Sequence, residues 1–369
     1  MKQRIQALDG LRFLASLGIL WTHSWNRLHN PKWLVGRFDL ANILAIGVNG
    51  VDLFFVISGF CMYYFYGSKP EFSMTDFFSF LKKRWLRLSP VFYFATFIFC
   101  FVNIYIKHLH VNILLNVLHS IFYLNYIGVD YNTELYFWTL TVEWQFYLTV
   151  PFLMLFQNKY GFSKVFSFIF GGIFITTVVF IIIVKNEYDF LTYTFMYRAV
   201  EFGCGVLVAR ILLKKQYVLK NRVLWLFTFF LIVFIGRFLV SKQGLSLSVY
   251  YFNLIRLAGF TFMAVGFAGI VYLSITSTKY LHNILGNKYF CNMGKVAYSF
   301  YIWHGLVNLL VTDFILLHFP LFASIWAPIS ATIIGFIILY PVSLISYNYL
   351  EKPFMNLKRK KEDVNNQLA

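Results

Sequence analysis

The stretch "LDGLRFLASLGILWTHSW" (residues 8–25) combines the apolarity of a membrane helix with ionisable residues near both ends. About 20 apolar residues cross a bilayer core of about 30 Å, and a charge inside that core costs roughly 2.5–3.5 kcal/mol on insertion scales. Arg12 and His23 are eleven residues apart, close to three helical turns, so they share a face and lie about 16 Å apart along it. The stretch therefore predicts a membrane helix with a polar face.

The rest of the chain has the same character. Of its 369 residues, 59% are hydrophobic and only 13% are charged, against roughly 25% charged in a soluble domain. We predict an all-α fold, a polytopic bundle of about ten membrane-spanning helices. The membrane domain would occupy residues 1–357, followed by a basic and polar cytoplasmic tail at residues 358–369. The predicted spans are residues 11–26, 44–66, 88–106, 135–156, 163–184, 191–212, 223–240, 250–273, 296–317 and 323–349.

Residues 111–127 are a weaker candidate, because asparagine and histidine interrupt their apolar run. We predict an interfacial or re-entrant segment there. The four cysteines, Cys61, Cys100, Cys204 and Cys291, lie far apart with no CxxC spacing. Neither a zinc site nor a disulfide framework is predicted, and we expect no metal and no bound cofactor.

The distribution of Lys and Arg predicts the orientation. Ten spans put both termini on one side, and the segments on that side carry 22 of these residues against 7 on the other. The positive-inside rule then places both termini in the cytoplasm. Because the basic residues are spread over short loops, the net charge of +17 favours anionic lipid and does not indicate nucleic-acid binding.

We single out eight ionisable residues inside the predicted spans, which must face a polar cavity or each other. They are Arg12, His23, Asp52, Glu143, Arg198, Glu201, Arg256 and His304. Helical rise puts His23 about 18 Å in from the cytoplasmic side and Asp52 about 12 Å in from the opposite side, which is a common depth. Glu143 also falls near mid-depth. A histidine and carboxylates at one level make up a general-base site, so we predict His23, Asp52 and Glu143 as the catalytic group.

Simpler interpretations exist for several of these residues. Arg198 and Glu201 are i,i+3 neighbours and are expected to neutralise each other. His304 could be a hydrogen-bonded packing residue, and Arg256 could extend its charge to the membrane surface. Asp9 is predicted to cap the first helix.

A basic cluster, "LKKRWLRLSP" (residues 81–90), lies at the predicted cytoplasmic start of the third span. Arg84 and Arg87 are i,i+3 neighbours, and two adjacent guanidinium groups favour phosphate. Together with Arg12 they suit the anionic head of a long ligand whose reactive end reaches His23. Coenzyme A thioesters have that shape. The alternative is a basic anchor at the cytoplasmic membrane surface.

Six stretches in order resemble one family. They are "QALDGLRFLASLGILWTHSW" (6–25), "GVNGVDLFFVISGF" (47–60), "KKRWLRLSP" (82–90), "WTLTVEWQFYL" (138–148), "GKVAYSFYIWHGLV" (294–307) and "YNYLEKPF" (347–354). The chain resembles the acyltransferase-3 membrane family, the bacterial O-acyltransferases of surface polysaccharides, from residue 6 to about residue 357. Phe13 departs from the pattern, since a small residue is usual there.

The resemblance implies transfer of an acyl group, commonly acetyl, from cytoplasmic acyl-CoA to a hydroxyl of a cell-surface or lipid-linked glycan. The family's essential arginine and histidine fall on Arg12 and His23, and its RxxR arginines on Arg84 and Arg87. It also implies the bacterial inner membrane as the location. Acyl-CoA, the glycan and the lipid bilayer are thus the expected partners, with acyl-CoA a donor substrate. No hydrolase-like domain follows within the 369 residues, so we expect direct action on the glycan.

In this hypothesis His23 is either a general base on the acceptor hydroxyl or a transient acyl-imidazole nucleophile. Asp52 or Glu143 would orient it, and Tyr301, Trp303 and His304 would lie on the acceptor side. Two alternatives stay open at this point. One is the other polytopic acyltransferase class, with His304 of "WHG" (303–305) as the base. The other is a transporter or flippase for lipid-linked sugars.

Overall fold

The fold is taken from a computed structural model that describes most of the chain. The described residues are 4–36, 38–39, 45–108, 112–125, 135–184, 193–214, 219–240, 249–277, 280–319 and 326–357. The predicted tail at 358–369 lies outside them, as do the first residues of the predicted spans 44–66, 191–212 and 323–349.

The described residues are almost entirely helical. The longer helices are α1 (Gln6–Arg27), α2 (Gly50–Tyr66), α3 (Met74–Tyr105), α5 (Trp138–Tyr160), α7 (Gly172–Val184), α8 (Phe195–Lys214), α9 (Arg222–Val240), α10 (Val249–Thr276), α13 (Ala297–His318) and α14 (Trp326–Ser346). The short ones are α4 (Ile113–Ile121), α6 (Phe162–Phe166), α11 (Tyr280–Leu285) and α12 (Lys288–Lys295). A hairpin of two-residue strands, β1 (Leu34–Val35) and β2 (Phe38–Asp39), follows α1.

A helix occupies each of the ten predicted spans, and seven helical segments are long and apolar enough to cross a bilayer. These seven are Gly47–Tyr66, Met74–Tyr105, Phe162–Ile183, Arg222–Val240, Tyr251–Thr276, Ala297–His318 and Trp326–Leu357. The chain is therefore a helical, multi-pass membrane protein. Helices α1, α5 and α8 are also 20 residues or longer, but they are not among the seven, so a count of ten spans is not established.

Several boundaries differ from the prediction because hydropathy detects only the apolar part of a helix. Helix α3 begins at Met74, fourteen residues before the predicted span, since its first turns mix charged and aromatic residues. Arg84 and Arg87 therefore lie well inside α3 and not at its start. In the region predicted to be interfacial, α4 has nine residues, too few to cross a bilayer.

The chain divides into two compact units, and α1 contributes to both. The first unit comprises Met1–Ala15, Val48–Met74 and Trp138–Gly294, and the second comprises Ser16–Gly47, Thr75–Phe137 and Lys295–Ala369. Arg12 thus belongs to the first unit and His23 to the second. They share one continuous helix, as predicted.

In the first unit, α2 and α8 pack backbone against backbone. A Cβ on Gly59 would collide with the carbonyl oxygen of Phe202, and a Cβ on Gly205 with that of Val56. Small residues at these points let two membrane helices approach closely. This close packing holds the Asp52 turn of α2 beside the Arg198 turn of α8.

In the second unit, polar side chains join the last turn of α1 to the middle of α13. Ser24 donates to the Asn308 side chain at 2.7 Å. Arg27 donates to the Thr312 hydroxyl at 2.8 Å and forms an ion pair with Asp313 at 2.7 Å. These contacts fix the side of α13 that faces His23.

Candidate active site

His23 and His304 meet inside the second unit. Their rings lie edge to face with centroids 4.9 Å apart. The Tyr136 ring packs on both, with its centroid 4.4 Å from that of His304 and 6.1 Å from that of His23. His304 is 1% exposed, whereas His23 is only partly buried. The Tyr301 ring also packs against that of His304, at 5.1 Å between centroids. Two imidazoles and two phenols, those of His23, His304, Tyr136 and Tyr301, thus form one cluster, here called the histidine cluster, on α1, α13 and the turn before α5.

Backbone hydrogen bonds fix the tyrosines of this cluster. The Tyr136 hydroxyl donates to the Ile302 carbonyl at 3.1 Å, and the Tyr301 hydroxyl donates to the Tyr136 carbonyl at 3.0 Å. Gly305 makes room for the Tyr136 ring, because a Cβ there would overlap it. The "YIWHG" turn of α13 therefore shapes the cluster through its backbone as well as its side chains.

Trp303 occupies a different face of α13. Its ring packs against Phe94 of α3 at 6.0 Å between centroids, and the side chain is 6% exposed. The indole N–H is buried and finds no hydrogen-bond partner within the described residues. Of the three residues predicted on the acceptor side, Tyr301 and His304 belong to the histidine cluster.

Arg84 and Arg87 project from the middle of α3, and both are half-buried. The Arg84 guanidinium lies over the Phe80 ring at 5.5 Å. The positive charge of Arg87 attracts the carboxylate of Glu351 electrostatically. This carboxylate also accepts a hydrogen bond from Ser299 at 3.1 Å. Tyr298 donates to the Leu88 carbonyl at 2.6 Å. Three of the six quoted motifs, those containing Arg87, Ser299 and Glu351, therefore meet in the second unit.

Arg12 forms an ion pair at the start of α1. It donates to Asp9 at 3.1 Å and to the Cys61 sulfur at 3.2 Å, while Arg4 binds the other carboxylate oxygen of Asp9 at 2.6 Å. The prediction that Asp9 caps α1 is wrong in detail. The helix already begins at Gln6. The carboxylate of Asp9, which is 1% exposed, therefore lies inside the helix and accepts hydrogen bonds from Arg4 and Arg12.

Asp52, Arg198 and Glu201 form a buried charge cluster in the first unit. Arg198 donates to Asp52 at 2.6 Å and to Glu201 at 2.8 Å, and all three side chains are at most 6% exposed. The Arg198 guanidinium lies 3.8 Å from the Phe260 ring centroid and 5.2 Å from that of Trp138. The predicted pairing of Arg198 with Glu201 is confirmed, and Asp52 joins it from α2.

Glu143 lies in a separate polar group of the first unit. Its carboxylate accepts a hydrogen bond from Ser58 at 2.9 Å and another from the Tyr147 hydroxyl. Asp52, for its part, accepts a further bond from Asn49 at 2.9 Å. The role of Asp52 or Glu143 in orienting His23 stays a prediction, because His23 belongs to the other unit. The contacts described for these two carboxylates lie inside their own unit.

Sequence reasoning missed Tyr136, although its ring packs on both histidines of the cluster. It lies in the short 3₁₀ turn Leu135–Phe137, where no helical periodicity assigns it a face. Asn308 and Asp313 were also missed. The second of these had a signal, since an acidic residue in an apolar run requires a cation, which Arg27 supplies.

The fold and the histidine cluster define a polytopic membrane protein in which buried polar side chains form small groups where helices pack together. The chain matches the model of the family described as "Acyltransferase domain" over residues 5–348. It therefore belongs to the acyltransferase-3 family. This membership excludes the other polytopic acyltransferase class as the chain's family.

The curated relatives carry the name O-acetyltransferase. The chain is 26% identical over 377 aligned residues to O-acetyltransferase OatA of Staphylococcus aureus, from strains NCTC 8325 / PS 47, COL and MRSA252. The alignment covers 95% of this chain but 57% of each relative, so the chain spans little more than half their length. No solved structure matches the chain closely enough to count as a relative.

The charge cluster predicts a large effect of Arg198 on stability. Arg198→Ala would leave Asp52 and Glu201 buried without their shared cation, which costs about 3–5 kcal/mol. We expect a corresponding loss of unfolding free energy for the purified protein in detergent. Lys288→Ala, which removes an exposed cation of α12, is the control and should change it by less than about 0.5 kcal/mol. An Arg198→Ala protein as stable as this control would contradict the assignment.

Proposed function

We propose that this chain is an integral-membrane O-acetyltransferase of the bacterial inner membrane. It transfers an acetyl group from cytoplasmic acyl-CoA to a hydroxyl of a cell-surface or lipid-linked glycan. Both of its termini lie in the cytoplasm. The observation that carries the proposal is the contact of His23 with His304 and Tyr136. Membership of the acyltransferase family and the names of the S. aureus relatives support it.

The donor is proposed from charge. Arg84 and Arg87 sit on one face of α3, and guanidinium groups bind phosphate through paired N–H donors. CoA carries its phosphates at one end and its thioester at the other, so a phosphate site can bind it away from the reacting carbon. Arg12 is proposed to assist, although its pairing with Asp9 balances part of its charge.

The acceptor is proposed from the chemistry of the histidine cluster. A hydroxyl is a weak nucleophile at neutral pH and needs a base within hydrogen-bonding distance. Imidazole is the side chain most often used for that purpose. Aromatic rings beside it, those of Tyr136 and Tyr301, offer a surface for the apolar face of a sugar. Trp303 is proposed to support this side of α13.

His23→Ala tests the role of His23. Without its imidazole, neither base catalysis nor acyl transfer through His23 is possible, and we expect acetyl transfer to fall by about 10²–10⁴-fold. The measurement is the incorporation of label from acetyl-labelled acetyl-CoA into glycan of membrane vesicles from the native host. His282→Ala, in α11, is the control and should keep full activity. A His23→Ala chain with wild-type incorporation would exclude the proposed site.

The arginine pair is tested through the Michaelis constant. The double substitution Arg84→Ala/Arg87→Ala removes charge-assisted bonds worth about 1.5–3 kcal/mol each. We expect KM for acetyl-CoA to rise at least tenfold with a smaller change in kcat, because phosphate contacts are made before and during the transition state alike. Lys82→Ala, which removes an exposed neighbour, should leave KM unchanged. An unchanged KM in the double variant would mean that these residues are only a membrane anchor.

A further inference from the structure

The hydrogen bonds of His304 determine where its ring proton lies. Nδ1 of His304 is in hydrogen-bond contact with the backbone carbonyl oxygen of Tyr301, one turn earlier in α13. A carbonyl oxygen only accepts hydrogen bonds, so Nδ1 must carry the proton. In the neutral ring the other nitrogen, Nε2, then carries a lone pair and can only accept a hydrogen bond.

This lone pair has no donor among the described residues. Nε2 of His304 is fully buried and unbonded, and an unsatisfied buried acceptor costs about 1–3 kcal/mol. The two tyrosine hydroxyls of the cluster already donate elsewhere, since Tyr136 donates to Ile302 and Tyr301 donates to Tyr136. The ring beside His23 therefore carries an unsatisfied acceptor, and an O–H group is a donor that can satisfy it.

A second imidazole at this position also removes a chemical difficulty. Once one nitrogen of His23 carries an acyl group, the lone pair on the other ring nitrogen is only weakly basic and points away from the acyl carbon, so the ring cannot also deprotonate the acceptor. A separate base must then lie close by. The His304 ring is the neighbouring imidazole, with its centroid 4.9 Å from that of His23.

We propose that the two histidines divide the reaction: His23 carries the acyl group and Nε2 of His304 binds the acceptor hydroxyl and takes its proton. This inference rests on the proposed function and assigns the acceptor-side base within it. It selects the acyl-imidazole path over the path in which His23 is the general base.

The steps balance without a further reactant. In the first, a His23 nitrogen attacks the thioester carbon, the C–S bond breaks, and the CoA thiolate takes the remaining ring proton of His23. In the second, the hydroxyl oxygen attacks the acyl carbon while its proton passes to Nε2 of His304. The C–N bond breaks, and the leaving nitrogen of His23 takes the proton back from His304. The Nδ1–H bond to Tyr301 supports the transient imidazolium cation.

The test separates the two halves of the reaction in membrane vesicles that contain the native acceptor. The variants are His304→Ala, His23→Ala and His318→Ala, and the probe is acetyl-CoA labelled in its acetyl group. His318 is the matched control, because it lies on the same helix with Nδ1 bonded to its own backbone at Phe314, but its ring is exposed. Released CoA, hydroxylamine-sensitive label on the chain and label in glycan are measured together.

We expect His304→Ala to release about one equivalent of CoA and to retain label on the chain, while glycan labelling falls about 10²–10⁴-fold. His23→Ala should show neither release nor label, and His318→Ala should match the wild type. Glycan labelling by His304→Ala at the wild-type level would overturn the inference. So would a joint loss of CoA release and glycan labelling in a His304→Ala protein that unfolds at the wild-type temperature. A wild-type chain that neither releases CoA nor labels glycan would overturn the proposed function, and this inference with it.

Discussion

Charged and polar side chains cannot face hydrocarbon without a partner, and this constraint organises the structure. Arg198 illustrates it, since one guanidinium binds carboxylates from two helices and is covered by aromatic rings. Asp9 does the same with two arginines. A buried ion pair is costly to break, so the bond from Arg198 to Asp52 holds α8 beside α2. The close glycine contacts between α2 and α8 then set how near the helices approach.

The histidine cluster obeys the constraint in a different way. Its tyrosine hydroxyls are satisfied by backbone carbonyls, and Nδ1 of His304 is satisfied by its own helix. Two groups remain without such partners in the cluster: the Nε2 lone pair of His304 and, beside that ring, the partly buried imidazole of His23. The satisfied groups hold the rings in place, and the unsatisfied one gives the site its capacity to bind a hydroxyl.

The sequence predicts the helices well, because a bilayer demands long apolar runs whatever their partners are. It also predicts local pairs, such as Arg198 with Glu201, because helical geometry brings i and i+3 together. It does not predict that Asp52 joins them from a distant segment, since helix order along the chain does not fix which helices touch. Tyr136 was missed because it lies in a short 3₁₀ turn, where no helical periodicity assigns it a face. The true start of α3 at Met74 was missed because its first turns are not apolar.

Depth along each helix predicted a shared level for His23, Asp52 and Glu143, but a shared level does not choose contact partners. The partners described for the two carboxylates are Arg198 and Asn49 for Asp52, and Ser58 and Tyr147 for Glu143.

Mass spectrometry of surface glycans tests the central claim most directly, on native cells, cells lacking the gene and cells carrying His23→Ala. The account predicts that a glycan loses the mass of one acetyl group in the last two strains alike. Identical glycan masses in all three strains would contradict it.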